Sequence, residues 1–293
     1  MRTAEMNDYL APIAVQELAS SEELVFLVNA LWRPFLEESG LSDFDAIWQC
    51  QLGEVVKERP GLEIRRLEVA ACKKETGPVI LYIKKHEQRA GRRQESEGLK
   101  EFSNYCAFRR RGLATAVPVA AGRARQDGGV VRSFLVTRDF APLVDLEELV
   151  LNRPESLQGA EKGPRKKNIL RAVARYARAM HRAGCNQKDF NATHVLLQGL
   201  DDPEPLVALF DLQRVDTNRF LAFRWPIKAL AEFFFTLPAA LFDEEDRLFF
   251  FTAYKGSTEL SPYGRFQYGC ILRKMARIAR HSRKRNLAPK MRE

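Results

Sequence analysis

The sequence has little cysteine, no internal repeat, no low-complexity stretch and no long apolar run. Its five cysteines (Cys50, Cys72, Cys106, Cys185 and Cys270) are odd in number, scattered and never in CxxC spacing. That suggests neither a disulfide framework nor a zinc site and points to small buried hydrophobes in a reducing compartment. The longest apolar stretch, Phe233 to Phe242, is interrupted by Thr236 and Pro238 and is too short to span a bilayer. Glu5 and Asp8 stand where a secretory leader would need an apolar run. The expected location is therefore cytoplasmic or peripheral to a membrane. With 45% hydrophobic and 29% charged residues, collagenous, coiled-coil and wholly disordered classes are excluded. A chain of 293 residues suffices for one large domain or two packed lobes.

Positive charge is in excess, 47 basic side chains against 38 acidic, and the excess is local. Between Arg273 and Glu293 nine Lys or Arg stand against one acid, so nearly all of the net +9 lies in this tail. Such a tail is either a solvated run or a surface drawn to anionic lipid or nucleic acid. Ile271, Met275 and Ile278 fall at helical spacing beside Arg273, Lys274, Arg277 and Arg280. That pattern suits a helix resting on anionic lipid, and equally one packed on the body of the protein. Nucleic acid is disfavoured, because the basic residues lack interleaved aromatics.

The order of elements is informative. Residues 1–45 read as an N-terminal helical extension with one helical pattern, Glu22 to Leu36. Residues 46–137 read as β-rich: strands around 54–57, 62–65 and 79–83, separated by Pro60-Gly61 and Gly77-Pro78 turns, then a basic stretch 86–93, a helix over 96–110 and strands around 117–121 and 130–136. Residues 138–272 read as helical, with helices at 143–151 and 169–183, a charged loop at 158–167, a hairpin pairing 195–197 with 207–210, and further helices over 226–280. Residues 273–293 form the basic tail. Five strands with one interposed helix, followed by a helical half holding a small hairpin, make an α+β layout that a protein-kinase-like two-lobed fold, with a small β-rich N-lobe and a larger helical C-lobe, would produce. Propensity alone does not separate it from other α+β folds.

Two aspartates draw attention by position. Asp189 follows the 169–183 helix, and Asp211 ends the second strand of the hairpin, 22 residues further on. Phosphoryl transfer needs one carboxylate to orient the acceptor hydroxyl and another to hold Mg²⁺ on the phosphates. A helix, a loop carboxylate, a hairpin and a second carboxylate supply that order.

Here the sequence resembles the lipopolysaccharide core heptose kinase family, a divergent branch of the protein-kinase-like fold. The matching residues are Met180-His181-Arg182-Ala183-Gly184, then Asn186-Gln187-Lys188-Asp189, then His194-Val195-Leu196-Leu197, and Phe210-Asp211-Leu212-Gln213-Arg214. Gly53 to Glu58 is similar to the family's first strand, and Lys100 to Phe108 and Pro118 to Gly122 to its helix-C region. Phe134 to Thr137 with Val144 to Leu149 is similar to its hinge. The resemblance runs from about Gly53 to Tyr254.

The resemblance implies an ATP- and Mg²⁺-dependent kinase acting on a sugar hydroxyl, a heptose above all, of the lipopolysaccharide core at the cytoplasmic face of the inner membrane, with the basic tail as a peripheral membrane contact. It implies Asp189 as catalytic base, with Lys188 in the place of the family's arginine beside it. Asp211 and His194 become the metal positions. Lys84 or Lys85 reaches the nucleotide; adjacent strand residues face opposite ways, so only one can, and the family pattern favours Lys84. Glu101 would pair with that lysine, and Gly53 and Thr137 join them on the nucleotide. Gln187-Lys188 stands where the family has His-Arg, which changes packing and loses bidentate geometry, and no GxGxxG is present. A nucleotide-binding pseudokinase, and a kinase for another small-molecule or protein acceptor, are the alternatives.

Overall fold

A computed structural model describes residues 8–70, 77–89, 96–159, 163–217 and 219–284. Glu5, Cys72, the end of the basic stretch at 90–93 and the tail from 285 lie outside the described residues. The chain divides into two compact units, Met1–Phe140 and Ala141–Glu293.

The first unit is built on an antiparallel sheet of seven strands: β1 (Val15–Ser20), β2 (Leu24–Asn29), β3 (Glu54–Arg59), β4 (Leu62–Val69), β5 (Val79–Arg89), β6 (Pro118–Gln126) and β7 (Val130–Arg138), in the order β1-β2-β6-β7-β5-β4-β3. Strand β5 shows why the sheet has two different faces. Val79, Leu81, Ile83 and Lys85 are buried on one side, and Ile80, Tyr82 and Lys84 are half-buried on the other. Two short helices, α1 (Arg33–Glu38) and α2 (Phe44–Gln49), contribute Phe35, Leu36, Phe44 and Ile47 to a core shared with Phe26, Leu81, Ile83 and Phe134 of the sheet. The longer helix α3 (Glu97–Arg109) packs on β5, β6 and β7. Gly98 permits that approach: a Cβ there would lie 2.3 Å from the Phe134 carbonyl oxygen.

The N-terminal residues correct the sequence reading. Residues 22–36 are not one helix but β2, a 3₁₀ turn at Ala30–Trp32 and the start of α1. The run Leu24-Val25-Phe26-Leu27-Val28 is aromatic and β-branched, and its inward Phe26 and Val28 fit the pleat when β2 pairs with β6. Asn29 then ends the strand, donating from Nδ2 to the Pro118 carbonyl at 3.1 Å and accepting from the Leu31 amide. Residues 15–29 thus belong to the sheet rather than to a helical extension.

The second unit contains β8 (Val144–Asp145), α4 (Leu146–Leu151), α5 (Gly163–Arg182), β9 (Asn186–Gln187), β10 (Val195–Gln198), β11 (Leu206–Leu209), β12 (Val215–Asp216), α6 (Trp225–Thr236), α7 (Glu244–Lys255) and α8 (Pro262–Lys284). The expected helix at 143–151 starts only at Leu146. Val144 and Asp145 pair with β10 instead, and the Asp145 carboxylate caps α4 by accepting from the Glu147 amide at 2.7 Å. Residues 163–167, expected in a loop, form the first turn of α5. Phe190, Phe233, Phe234 and Phe250 stack in the interior, with ring centroids 5.0–6.4 Å apart. The phenylalanine-rich runs of α6 and α7 are therefore largely core.

Candidate active site

In the first unit, Lys84 projects from β5 to the α3 face, and its Nζ lies 3.0 Å from Glu101 Oε2. The Tyr105 hydroxyl, one turn along the helix, donates to Glu101 Oε1 at 3.4 Å. Lys85 lies on the opposite face, where its Nζ donates to the Cys50 carbonyl at 2.8 Å and pairs with Glu63 at 3.3 Å. The alternation of the strand thus commits Lys84 to the helix and Lys85 to the core behind the sheet. Thr137 is buried in β7 opposite Tyr82 and Pro118. Gly53 stands at the entry to β3, seven residues before the Pro60-Gly61 turn that joins β3 to β4, and not at the turn itself. Its φ is +83°, and a Cβ would fall 2.2 Å from the Arg66 carbonyl oxygen. Strand pairing alone therefore accounts for glycine at position 53.

The second unit holds the other sequence-predicted residues in one loop system. Helix α5 ends in a Schellman motif: Gly184, in the left-handed region, donates to the His181 carbonyl at 3.1 Å, and Cys185 donates to that of Met180 at 3.1 Å. The reversal brings Asn186 back against His181. Asn186 Oδ1 can only accept, so His181 Nε2 donates to it at 3.1 Å, and Nδ1 accepts from the Tyr254 hydroxyl at 2.9 Å. Burial pushes the His181 imidazole down to a pKa of about 4, so the ring is neutral.

Residues 186–187 pair antiparallel with 215–216, and the Lys188 amide extends the ladder by donating to the Arg214 carbonyl at 2.7 Å. Lys188 enters the site through that backbone bond. Asp189 follows, its carbonyl oxygen 2.9 Å from His194 Nδ1. The carbonyl accepts, so Nδ1 carries the proton. His194 Nε2 is then 3.7 Å from Asp211 Oδ2. Asn191 supports the turn bearing His194, accepting from the Thr193 amide at 3.0 Å and from its hydroxyl at 2.6 Å.

Asp211 has φ +55°, the one non-glycine residue in the left-handed region among the described residues. Such a backbone persists only where its surroundings over-determine it. Gln187 is one cause: fully buried, it donates from Nε2 to the carbonyls of Phe210 (3.2 Å) and Asp211 (3.1 Å). The residue that departs from the family's histidine therefore ties the Asp189 strand to the Asp211 turn.

The structure brings Asp189, His194 and Asp211 together in the second unit and Lys84 with Glu101 in the first. Sequence reasoning places Arg214, His181 and Asn186 within matching motifs but gives no role to Arg214, which pairs with Asp189, and does not anticipate the His181–Asn186 contact. Both arise from tertiary pairing and leave no periodic signal. As a metal site, Asp211 offers a half-exposed carboxylate and His194 an imidazole nitrogen. No group of three or more His, Cys, Asp or Glu that could enclose a metal occurs among the described residues. That donor set fits Mg²⁺, which is normally held by one or two carboxylates with substrate phosphates and water completing its shell.

A sheet unit with a strand lysine paired to a helix glutamate, and a helical unit with a loop aspartate, a hairpin and a second aspartate, define a protein-kinase-like α+β fold. Residues 63–254 match the Lipopolysaccharide kinase (Kdo/WaaP) family, and the chain belongs to that family. The Lipopolysaccharide core heptose(I) kinase WaaP of Pseudomonas aeruginosa is 32% identical over 169 residues, 56% of this chain and 59% of that protein. The protein of the same description from Escherichia coli is 27% identical over 128 residues, 43% of this chain and 47% of that protein. The matched regions therefore span about half of these curated relatives. A solved structure, WaaP in complex with acyl carrier protein, is similar with a TM-score of 0.63 and 28% identity, covering 85% of this chain and 96% of that one.

Proposed function

We propose that this chain is an ATP- and Mg²⁺-dependent kinase that phosphorylates a heptose hydroxyl of the lipopolysaccharide inner core during its biosynthesis. The observation that carries the reading is the loop in which His194 lies 2.9 Å from the Asp189 carbonyl and 3.7 Å from the Asp211 carboxylate. In this reading the Asp189 carboxylate accepts the proton of the acceptor hydroxyl. The hydroxyl oxygen bonds to the γ-phosphorus as the bond to the β–γ bridging oxygen breaks, and the electron pair leaves with ADP. Lys84, fixed by Glu101, pairs with the α- and β-phosphates, and Thr137 belongs to the nucleotide side. Asp211, with His194 beside it, would hold Mg²⁺, which supplies charge neutralisation at the phosphates. Gly53 is left out, since its left-handed backbone and the room a Cβ would need beside the Arg66 carbonyl account for the glycine.

The acceptor is lipid-anchored, which fits a peripheral place at the cytoplasmic face of the inner membrane. Helix α8 carries Arg273, Lys274, Arg277 and Arg280 beside half-buried Met275 and Ile278, whereas Ile271 is fully buried and belongs to the body of the unit. No helix of the described residues is long and apolar enough to cross a membrane.

The test is transfer of labelled γ-phosphate from ATP to dephosphorylated lipopolysaccharide, with Asp189→Ala alongside. Labelled core sugar with the wild type and a loss of about 10²–10⁴-fold in the variant is the expected result. A wild type that binds ATP but labels no sugar would move the pseudokinase, or a different acceptor, to first place.

A further inference from the structure

The Asp189 carboxylate is held by a single side chain among the described residues. Arg214 Nη1 lies 2.9 Å from Oδ1 and 3.2 Å from Oδ2, so one guanidinium nitrogen bridges both oxygens. The backbone puts it there. The ladder rungs Asp216–Asn186 and Val215–Gln187 continue into the Lys188 N–H to Arg214 C=O bond, and the next side chain across is Asp189.

The pair faces solvent, with side-chain exposures of 61% for Arg214 and 37% for Asp189. An exposed pair of this kind adds little to folding stability. Its effect on orientation is larger. The Asp189 main chain is anchored at the Lys188 amide and at its own carbonyl, but the torsion that turns an aspartate carboxylate about its last bond is soft. Bridging both oxygens fixes that torsion. A carboxylate has about four lone-pair directions, so two oxygens shared with one N–H donor group keep capacity for a hydroxyl.

We propose that Arg214 is a positioning residue for phosphoryl transfer, setting the plane of the Asp189 carboxylate that receives the acceptor proton. The inference rests on the reading of Asp189 as that group. Arg214 does not touch the nucleotide or the transferred phosphoryl in this role; it acts through Asp189.

The experiment compares wild type, Arg214→Ala, Arg214→Lys and Asp189→Ala by steady-state kinetics with ATP and dephosphorylated lipopolysaccharide, and by melting temperature. Misaligning a reacting group by about 1 Å costs on the order of 10²-fold, so kcat of Arg214→Ala should fall by about that factor while both KM values stay within about twofold. The melting temperature should barely move. Arg214→Lys should recover part of the loss, and millimolar guanidinium should partly restore Arg214→Ala but not Asp189→Ala. Wild-type kcat in Arg214→Ala would overturn the proposal. So would a defect confined to the KM of the acceptor, which would make Arg214 a ligand of the substrate's anionic groups, or a fall in melting temperature without guanidinium rescue. No transfer by the wild type would instead overturn the reading of Asp189 on which the proposal stands.

Discussion

Lys84 and Lys85 are adjacent in sequence but differ in partner: Lys84 Nζ lies 3.0 Å from Glu101 Oε2, while Lys85 Nζ donates to the Cys50 carbonyl at 2.8 Å on the far side of the same sheet. One strand therefore carries a lysine paired to helix α3 and a lysine that staples the sheet to the end of α2. The two should separate cleanly by mutation.

Lys84→Met removes the ammonium that lies 3.0 Å from the Glu101 carboxylate, which is 2% exposed. Loss of one partner from a buried pair costs about 3–5 kcal/mol, and loss of the phosphate contact should lower transfer by at least about 10²-fold. Lys84→Met with Glu101→Gln should regain much of the stability and none of the rate. Lys85→Met should lower stability by about 1–3 kcal/mol and leave the rate of the folded protein near wild type. Urea denaturation beside initial-rate kinetics distinguishes the two lysines.

His181 makes stability depend on pH. Burial lowers its pKa from an ordinary 6.5 to about 4, so folding favours the neutral ring. That contribution is complete above pH 6.5 and is lost as the pH falls toward 4, where the folded protein must bury a proton that the unfolded chain already holds. Protonation also removes the nitrogen that accepts from Tyr254. Denaturation curves at several pH values should show stability falling through this window, and His181→Phe should be less stable at neutral pH with a flatter profile between pH 6.5 and 4. An unchanged profile would exclude His181 as the titrating group.

Gln187→Ala removes both donors that hold the Phe210–Asp211 turn. Losing two part-buried hydrogen bonds costs about 0.5–1.5 kcal/mol each. Because Asp211 sits in the left-handed region, release of the turn should also raise the Mg²⁺ concentration needed for half-maximal rate. Measuring rate against Mg²⁺ checks this. An unaltered Mg²⁺ dependence would mean that the turn holds without Gln187.

Gly98→Val should perturb the first unit from outside the site. Even the Cβ would lie 2.3 Å from the Phe134 carbonyl, so α3 must move off the sheet, taking Glu101 with it. Overpacking of this kind costs about 1–3 kcal/mol, and the KM for ATP should rise. A variant with wild-type melting temperature and ATP affinity would show that the helix tolerates the shift.

Much of this arrangement is legible in the chain because local physics dictates it. Turn residues mark the hairpins around β3 to β7, strand alternation separates Lys84 from Lys85, and the helix–carboxylate–hairpin–carboxylate order places Asp189 and Asp211. Strand β2 escapes because Leu24 to Leu36 satisfies helical spacing as well, and only pairing with β6 decides between the two. Arg214 escapes for a different reason. Its neighbour Asp189 is 25 residues away along the chain, and nothing in the sequence announces that 186–188 and 214–216 form a ladder. Gln187 reads as a defect until its side chain is seen bridging two carbonyls.

The central claim is that the Asp189–Asp211 loop transfers phosphate to a core heptose, and the most direct test is phosphorus–proton correlation NMR of dephosphorylated core oligosaccharide after incubation with ATP, Mg²⁺ and the protein. The account predicts a new phosphomonoester signal correlated with a heptose ring proton for the wild type, and none for Asp189→Asn or Asp211→Asn. A signal on another sugar, or one that survives in either variant, would contradict it.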